Sequence, residues 1–370
     1  MLKFHALNVR EVRQESEDAI RLVLDVPADL AADYRAAAGQ HVVLRSRSGT
    51  DEARRTYSLT GPAGALPLTL GVRIHPHGQF SRHLAQNVHA GDALDVMPPN
   101  GSFGAALATA EATAAGKSTG VTGTYIAFAS GCGITPVLSI VRTLLETQPA
   151  ARVQLYYGNR HTARAMFLED LLALKDRFPA RLALHFVMSA EPQDADVYNG
   201  RIDAAKVARF AKALFDPRAV RAFFICGPGT MIGDVTGALH SLGVEPQRIH
   251  AEHFTVETSA ATTRAETAAQ PRVAVAGMAD VTVLMDGRRR TFTMRMGGET
   301  LLDAAASAGI DLPYSCRAGV CSTCRTRLAR GEVEMDQNFA LEDWELERGF
   351  ILACQAHPTT AEIELDYDER

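Results

Sequence analysis

Residues 315–331 read SCRAGVCSTCRTRLARG and place three cysteines within a span of nine residues. The intervals between them are four residues and then two, and one further cysteine follows after twenty-nine residues. This C-x4-C-x2-C spacing with a distant fourth cysteine is typical of a plant-type [2Fe–2S] centre. The sequence therefore predicts that iron is bound by Cys316, Cys321, Cys324 and Cys354.

Two other interpretations of these cysteines remain open. A zinc site usually carries two matched C-x2-C pairs, whereas this segment carries one. Disulfide bonds need an oxidising compartment, which no segment of the chain indicates. Small residues between the cysteines favour the cluster, because backbone N–H groups must turn toward negatively charged sulfides. These residues are Ala318, Gly319, Ser322 and Thr323.

Four arginines surround the cysteine loop, and many acidic residues follow it. The basic group could offset the charge of the cluster or contact an electron acceptor, and a solvated charged surface is the simpler alternative. The arginines are Arg317, Arg325, Arg327 and Arg330.

Composition bounds the class of protein. The chain has 370 residues, 46% of them hydrophobic, so two or three globular domains are expected. The formal net charge of −5 argues against nucleic acid as a partner. The first 22 residues lack an apolar signal-peptide core, and no apolar run approaches about eighteen residues. These features predict a cytoplasmic protein without a membrane segment.

Hydrophobic periodicity divides the chain into three parts. Residues 1–104 alternate short β-rich runs with turn residues, which predicts an antiparallel β-barrel or sandwich. Residues 122–256 alternate strands with amphipathic helices, which predicts an α/β doubly wound parallel sheet. Residues 272–370 begin with a hairpin pattern around an Asp-Gly pair and predict a small α+β module. The Ala- and Thr-rich segments 104–123 and 257–271 are interpreted as a connector and a flexible linker.

A glycine-rich turn, SGCGITP, occupies residues 130–136, between an apolar strand and a helix. Glycines at such a junction let the backbone approach a pyrophosphate, and the helix N-terminus offers free N–H groups. The motif is not G-x-G-x-x-G, because proline replaces the third glycine. A purely structural tight turn is the alternative.

Five short motifs occur in the order found in the ferredoxin–NADP reductase superfamily. They are RRTYS (54–58), GQFS (78–81), GCGITP (131–136), YGNR (157–160) and CGPGTM (226–231). Together with the C-terminal ferredoxin signature, the whole chain resembles the reductase subunits of bacterial multicomponent oxygenases. The resemblance implies an FAD-binding barrel in residues 1–104, an NADP-binding domain in 122–256 and a β-grasp ferredoxin domain in 272–370.

The resemblance also implies flavin contacts. By similarity, Arg55 holds the flavin pyrophosphate, Tyr57 packs on the isoalloxazine, and Ser58 hydrogen-bonds near its N5 atom. An ordinary strand with packed side chains is the alternative for Tyr57 and Ser58. An aromatic residue, Phe254, is expected against the flavin, unless it is only a core residue. The residues expected to bind FAD in the barrel are Arg55, Thr56, Tyr57, Ser58, Val72, Arg73, Gly78, Gln79, Phe80 and Ser81.

For the nicotinamide cofactor, the resemblance places Cys226 beside the nicotinamide, so Ser58 and Cys226 are the two residues expected at the reacting atoms. A buried, inert cysteine is the alternative for Cys226. Cys132 departs from the smaller residue common in relatives. The residues expected to bind this cofactor are Gly131, Gly133, Thr135, Pro136, Gly158, Asn159, Arg160, Arg164, Cys226, Gly227 and Pro228.

The segment after YGNR favours NADPH over NADH. An NAD site usually has an acidic residue after the second strand, which binds the ribose hydroxyls. Here Arg160 and Arg164 occupy that place, and no acid precedes Glu169. Arginine suits bidentate contact with a 2′-phosphate, although both residues could also be solvated helix charges.

The resemblance implies an oxidoreductase that passes electrons from NADPH through FAD and the [2Fe–2S] cluster to a di-iron oxygenase acting on an aromatic acyl-CoA. A reductase for an aromatic-ring-hydroxylating oxygenase or for a hybrid-cluster protein is an alternative that differs in its partner. A zinc-stabilised interaction module is an alternative from another class.

Overall fold

The computed structural model describes residues 3–48, 51–105, 107, 123–254 and 277–369. The predicted linker 257–271 and nearly all of the predicted connector 104–123 lie outside these residues. The chain divides into two compact units, one from Phe4 to Phe254 and one from Thr255 to Arg370 that includes the first three residues.

An antiparallel six-stranded sheet begins the first unit, in the order β4-β3-β6-β1-β2-β5. An isolated bridge between Leu59 and Leu70 joins the two outer strands, so the sheet closes into a barrel. Its interior is aliphatic and includes Leu22, Leu44 and Leu70. The elements are β1 (His5–Ser16), β2 (Ala19–Asp25), β3 (His41–Ser48), β4 (Asp51–Ser58), β5 (Leu68–Arg73), α1 (Gln79–Asn87) and β6 (Ala93–Val96).

A parallel five-stranded sheet follows, in the order β11-β10-β7-β8-β9. Its strands are nearly continuous apolar runs, as expected for a sheet that is covered on both faces. Helices α2 and α3 share one core cluster with it, and α4 and α5 share another. The elements are β7 (Gly123–Ser130), α2 (Ile134–Thr147), β8 (Ala151–Asn159), α3 (Leu168–Arg177), β9 (Leu182–Met188), α4 (Ala204–Leu214), β10 (Val220–Gly227), α5 (Gly229–Ser241) and β11 (Ile249–His253).

The strand order reverses between β7 and β10, which makes their carboxyl ends the switch point of this sheet. Ligands of doubly wound sheets bind at such a point. The glycine-rich turn after β7 and the segment around Cys226 at the end of β10 both lie here. The predicted nucleotide-binding motifs are therefore brought to one edge of the sheet.

The barrel and the parallel sheet meet along a close contact. Gly71 of β5 faces Thr135, Met166 and Phe167, and a Cβ at Gly71 would lie 2.6 Å from the Phe167 ring. Phe167 adopts a left-handed backbone conformation with φ of 58° and is fully buried. Its N–H donates to Glu15 Oε1 of β1 at 2.8 Å. This packing fixes the barrel against the nucleotide edge of the sheet.

The second unit contains a five-stranded mixed sheet in the order β13-β12-β18-β14-β16 and a two-stranded sheet of β15 and β17. The predicted hairpin turns at Asp286 and Gly287, whose φ values of 56° and 67° suit a two-residue turn. The elements are β12 (Met278–Met285), β13 (Arg288–Arg295), α6 (Leu301–Ser307), β14 (Arg325–Arg330), β15 (Val333–Met335), α7 (Asp343–Glu347), β16 (Phe350–Leu352), β17 (Ala356–Pro358) and β18 (Glu362–Asp366).

The architecture confirms the predicted fold class: an antiparallel barrel, a doubly wound α/β domain and an α+β ferredoxin-like domain. In the part of the chain that is described, no helix has both the length and the apolar character needed to cross a bilayer.

Candidate flavin, nicotinamide and iron–sulfur sites

The strand β4 carries the predicted flavin residues at its carboxyl end. Ser58 is buried and pairs with His41 of β3, whereas Arg55 is exposed. Tyr57 is half-buried, and its ring stacks against that of Phe80 with centroids 6.2 Å apart. Burial raises the pKa of the Tyr57 hydroxyl, which keeps it protonated. The structure thus brings two predicted flavin motifs, RRTYS and GQFS, side by side.

The turn before α1 carries Gly78 and Ser81, which are predicted to bind the flavin phosphates. A Cβ at Gly78 would lie 2.7 Å from Ser81 Oγ and 2.9 Å from His75 Cβ, so a side chain is not accommodated there. The Ser81 hydroxyl accepts the His75 N–H at 3.2 Å and donates to Gly78 O at 3.3 Å. This hydroxyl is therefore already engaged within the turn, whereas the prediction also gives the flavin phosphates the N–H groups of the turn.

At the end of β5, Arg73 belongs to a network that sequence analysis did not anticipate. Asp18, in the turn between β1 and β2, forms ion pairs with both Arg73 and Arg164. Arg73 also donates to the backbone oxygen of Arg164 at 3.2 Å and lies near Gly131. The network therefore joins a predicted flavin residue to a predicted nucleotide residue. Within it, the Arg164 guanidinium is already engaged in an ion pair with Asp18.

The glycine-rich turn packs directly on the end of β10. Gly133 has no room for a side chain, because its Cβ would overlap the backbone oxygen of Cys226. Thr135 donates its hydroxyl to Cys132 O at 2.9 Å, and Pro136 is buried in the first turn of α2. The Tyr157 hydroxyl donates to Gly131 O at 3.0 Å, which holds the turn in place. Tyr157 lies in the YGNR motif but was not assigned a role from the sequence.

The two residues predicted at the reacting atoms, Ser58 on β4 and Cys226 on β10, are both buried and belong to different sheets. Cys226 is fully buried, and burial, followed by the charge of Glu252, raises the pKa of its thiol. Glu252 pairs with Cys226 across β10 and β11, and its Oε1 lies 3.8 Å from His41 Nδ1. Since His41 is the partner of Ser58 in β3 and β4, a His–Glu contact connects the two predicted residues.

The other predicted residues of this junction are close by. Phe254 follows β11, is half-buried and packs against the core that contains Cys226. Gly227 is the last residue of β10, and Pro228 lies between β10 and α5. Val72 is fully buried in the barrel core, and Thr56 is half-buried on β4. His41 and Glu252 carried no sequence signal, because their proximity depends on the packing of two different sheets.

The carboxyl end of β8 holds the predicted 2′-phosphate residues. Gly158 pairs with Ser130 of β7, and Asn159 is buried. Arg160 is exposed and forms no ion pair within the described part of the chain. Residues 160–168 contain no acid, as the sequence indicates, but Glu191 from the loop after β9 contacts Thr162 within this segment. The Glu191 carboxylate accepts the N–H and hydroxyl of Thr162 at 2.6 and 2.7 Å.

The four predicted cluster cysteines come together in the second unit. The Cys316 sulfur is within hydrogen-bonding reach of those of Cys321 and Cys354, and Cys354 also reaches Cys324. None of the four forms a disulfide bond. In the described residues no group of three or more His, Cys, Asp or Glu side chains is placed to hold a single metal ion. A [2Fe–2S] centre fits the arrangement, because each of its two irons takes only two of the four thiolates.

The backbone around these cysteines also suits a cluster. Arg317, Gly319 and Ser322 adopt left-handed conformations, with φ of 55°, 72° and 48°. The N–H of Ala318 donates to Cys316 Sγ at 3.3 Å, and Gln355 Nε2 lies 3.5 Å from Cys354 Sγ. Such turns direct N–H groups toward the sulfur atoms, which stabilises negative charge there.

The arginines around the loop are each paired with a carboxylate of the same domain. Arg317 pairs with Asp303 at 2.8 Å and Arg330 with Glu362 at 2.6 Å. Arg325 pairs with Glu345, whose side chain is fully buried, and Arg327 pairs with Glu369. The hypothesis of a basic ring around the loop therefore loses support, since these pairs compensate the positive charge.

Three domain families match the chain in the order of the structure. They are an oxidoreductase FAD-binding domain over residues 6–104, an oxidoreductase NAD-binding domain over 128–237 and a 2Fe-2S iron-sulfur cluster binding domain over 283–359.

Curated relatives match along their full length. The chain is 36% identical over 370 residues to one of the subunits of 1,2-phenylacetyl-CoA epoxidase from Escherichia coli (strain K12), covering 100% of this chain and 99% of that one. It is 30% identical over 364 residues to the ferredoxin reductase component of 3-ketosteroid-9-alpha-monooxygenase of Rhodococcus rhodochrous, covering 98% and 96%.

Among solved structures, phthalate dioxygenase reductase has the same fold, with a TM-score of 0.57, 22% identity and 98% coverage of both chains. The order of the three domains, the proximity of the four cysteines and the full-length identity all point to one protein family. The chain is an oxidoreductase of the ferredoxin–NADP reductase family, in the group that joins FAD-binding, NAD-binding and [2Fe–2S] ferredoxin domains in one polypeptide.

Proposed function

We propose that this protein is the NADPH-dependent reductase component of a di-iron oxygenase. The observation that carries the proposal is the presence, in one chain, of a closed flavin-type barrel, a switch-point nucleotide edge and four converging cysteines. When bound, FAD takes two electrons as hydride from a nicotinamide and passes them singly to a one-electron [2Fe–2S] centre. The proposed domain boundaries are 1–104, 122–256 and 272–370, with the linker at 257–271.

In this proposal the protein contributes position rather than acid or base catalysis. Arg55 and the N-terminus of α1 hold the flavin phosphates, and Tyr57 packs on the ring system. Gly133 lets the nucleotide turn approach the end of β10, where Cys226 excludes water beside the nicotinamide. The raised pKa of Cys226 supports this role, because a neutral thiol adds no charge at the reacting atoms.

The proposed acceptor is a phenylacetyl-CoA epoxidase. Support comes from the identity of 36% over the full length of a component of such an enzyme. A reductase for a steroid or an aromatic-ring oxygenase is the alternative, and its support is the second, lower identity of 30%. These two functions share the electron path and differ in the acceptor alone.

The proposed preference for NADPH rests on Arg160. Its guanidinium is exposed beside the carboxyl end of β8, whereas Arg164 is engaged by Asp18. A fork of N–H donors at that place suits a 2′-phosphate. The preference is tested by comparing kcat/KM for NADPH and NADH with ferricyanide as acceptor, and a clear preference for NADH would contradict it.

The acceptor is tested by reconstitution. The purified reductase, containing FAD and its cluster, is combined with the oxygenase components of a phenylacetyl-CoA epoxidase, NADPH and phenylacetyl-CoA. We expect oxygen-dependent formation of the epoxide product, detected by mass spectrometry. Efficient ferricyanide reduction without any product would leave the electron path intact and would overturn the acceptor. A 3-ketosteroid oxygenase in place of the epoxidase is the comparison.

A further inference from the structure

The segment after β8 is contacted by a carboxylate from the loop that follows β9. Glu191 lies three residues beyond the end of β9, and both of its oxygens accept hydrogen bonds from Thr162. The neighbouring backbone is joined as well, since the N–H of Ala190 donates to Arg160 O at 2.8 Å. The hydrogen bonds from Thr162 lower the pKa of Glu191, so this group is charged at neutral pH.

The loop that carries Glu191 is held in shape by its own contacts. Asn199 Oδ1 accepts the N–H of Gln193 at 2.8 Å, and Asn199 Nδ2 donates to Gln193 O at 2.9 Å. Gln193 Nε2 donates to the backbone oxygen of Glu191 at 3.3 Å. A carboxylate held in this way loses little conformational freedom when it meets a ligand.

The Glu191 carboxylate retains acceptor capacity. An ionised carboxylate has about four lone-pair sites, and Thr162 uses two of them. The side chain is partly exposed in the loop after β9, and the preceding residue, Ala190, donates its N–H to Arg160 O. Dinucleotides bind at the carboxyl edge of a doubly wound sheet, and the strand after the glycine-rich turn, here β8, receives the adenosine ribose. A ribose diol offers two O–H donors, whereas a 2′-phosphate offers negative charge.

We propose that Glu191 is a specificity-determining residue that accepts hydrogen bonds from the ribose hydroxyls of NADH and repels the 2′-phosphate of NADPH. Its effect on NADPH is therefore opposite to that of Arg160. The enzyme uses both cofactors, and the balance between these two interactions sets its preference. This inference rests on the proposed reduction by a nicotinamide dinucleotide, but it does not require NADPH to be the better one.

The test compares Glu191→Gln with the wild type as full-length enzymes containing FAD and the cluster. Glutamine keeps an oxygen for Thr162 and removes the charge. We expect kcat/KM to rise for NADPH and to fall for NADH, each by about threefold or more, mainly through KM. Glu169→Gln is the matched control, because Glu169 is an exposed acid in the first turn of α3. This control should leave the NADPH to NADH ratio unchanged.

A binding measurement separates specificity from turnover. Calorimetry with adenosine 2′,5′-bisphosphate and with adenosine 5′-diphosphate should show that Glu191→Gln tightens the first and weakens the second. Glu191→Asp, which keeps the charge, should retain the wild-type order of affinities. If the glutamine variant does not retain FAD, Glu191→Ala provides the second neutral variant for the same comparison.

An unchanged cofactor ratio together with unchanged nucleotide affinities in a folded neutral variant would overturn the role of Glu191. The proposed NADPH preference fails differently: a wild type that favours NADH, with equal losses in Arg160→Ala, would remove it. A shift of the ratio in Glu191→Gln would then still support the inference.

Discussion

Gly133 occupies a position where even one methyl group is excluded. The backbone oxygen of Cys226 lies where its Cβ would be, so the nucleotide turn and the end of β10 approach each other backbone to backbone. Gly237 of α5 differs, because nothing lies within 4 Å of its Cβ position. Two glycine-to-alanine changes in the same domain therefore have opposite expected effects.

We predict that Gly133→Ala lowers the free energy of unfolding by about 2 kcal/mol or more and impairs flavin reduction by NADPH. The overlap with Cys226 O forces the turn away from the nicotinamide side. Gly237→Ala should instead stabilise the protein by about 0.5–1 kcal/mol, since alanine favours a helix. Urea unfolding and stopped-flow flavin reduction measure both effects, and equal stability of the two variants would contradict the argument.

The cluster assignment predicts a selective loss. Cys324→Ser should remove most bound iron and sulfide, because serine replaces one of four thiolate ligands, while FAD content stays constant. Cys132→Ser is the matched control, since Cys132 lies in the nucleotide turn and not among the four converging sulfurs. Iron, sulfide and flavin analysis of purified proteins provides the measurement. Full cluster occupancy in Cys324→Ser would show that Cys324 is not a ligand.

Arg160→Ala should reduce kcat/KM for NADPH by about tenfold and leave NADH nearly unaffected, because only NADPH carries the 2′-phosphate. Arg152→Ala is the control, since Arg152 is exposed at the opposite end of the same strand. Steady-state rates with ferricyanide measure both. Equal losses for the two cofactors would mean that Arg160 does not recognise the phosphate.

At the scale of single residues, the sequence predicts those features that depend only on neighbouring positions in the chain. The four cysteines and the glycine-rich turn follow from spacing, because neighbouring residues alone define them. Asp18, His41, Glu191 and Glu252 could not be predicted, since each acts on a partner from a distant segment. Arg164 illustrates the difference: its segment indicates a phosphate contact, yet an acid from the barrel engages it.

Among the elements, β3 and β11 come from different sheets and bring His41 and Glu252 together in the buried junction. Burial raises the pKa of Glu252, and the neighbouring His41 opposes this shift only in part. The carboxyl group is therefore more easily protonated in the folded protein than in the unfolded chain, whose glutamate pKa is about 4.3.

The sign of the pH effect follows. A raised pKa contributes stability that is fully present below the unfolded pKa and is lost as the pH rises through the folded pKa. Glu252→Gln cannot ionise, so we predict that its stability relative to the wild type increases from about pH 4.3 upward. Urea midpoints at several pH values measure this difference. A difference that stays constant across the range would show that Glu252 is ionised equally in both states.

The type and order of the elements could be predicted from periodicity, whereas barrel closure could not. The bridge between Leu59 and Leu70 joins segments that look alike in sequence, and only packing selects their pairing. The Asp286-Gly287 hairpin was predictable, because both residues accept the left-handed backbone that the turn needs.

For the whole molecule, the division into two compact units predicts a division of labour. A chain ending at Thr258 should fold, bind FAD and reduce ferricyanide with NADPH, because the barrel and the nucleotide domain are complete. It should not support the oxygenase, since the cysteines are absent. The separate fragment 272–370 should restore only part of that transfer, because the effective concentration given by the covalent connection is gone.

Oxygen consumption coupled to product formation distinguishes the outcomes. A truncated chain that drives the oxygenase unaided would make the cluster dispensable. Full restoration by the added fragment at micromolar concentration would contradict the role given to the connection.

The pairing of β12 with β18 has a consequence for biosynthesis. Asp280 and Glu362 are neighbours in the centre of the ferredoxin sheet, with the cysteine loop between them in the chain. Three of the cysteines are therefore synthesised before β18, the strand that completes the sheet. The fourth ligand, Cys354, is also synthesised after them. The flavin-binding unit precedes them and folds first. Because Cys354 is the last of the four cysteines in the chain, the complete set of sulfurs becomes available to iron only late in synthesis.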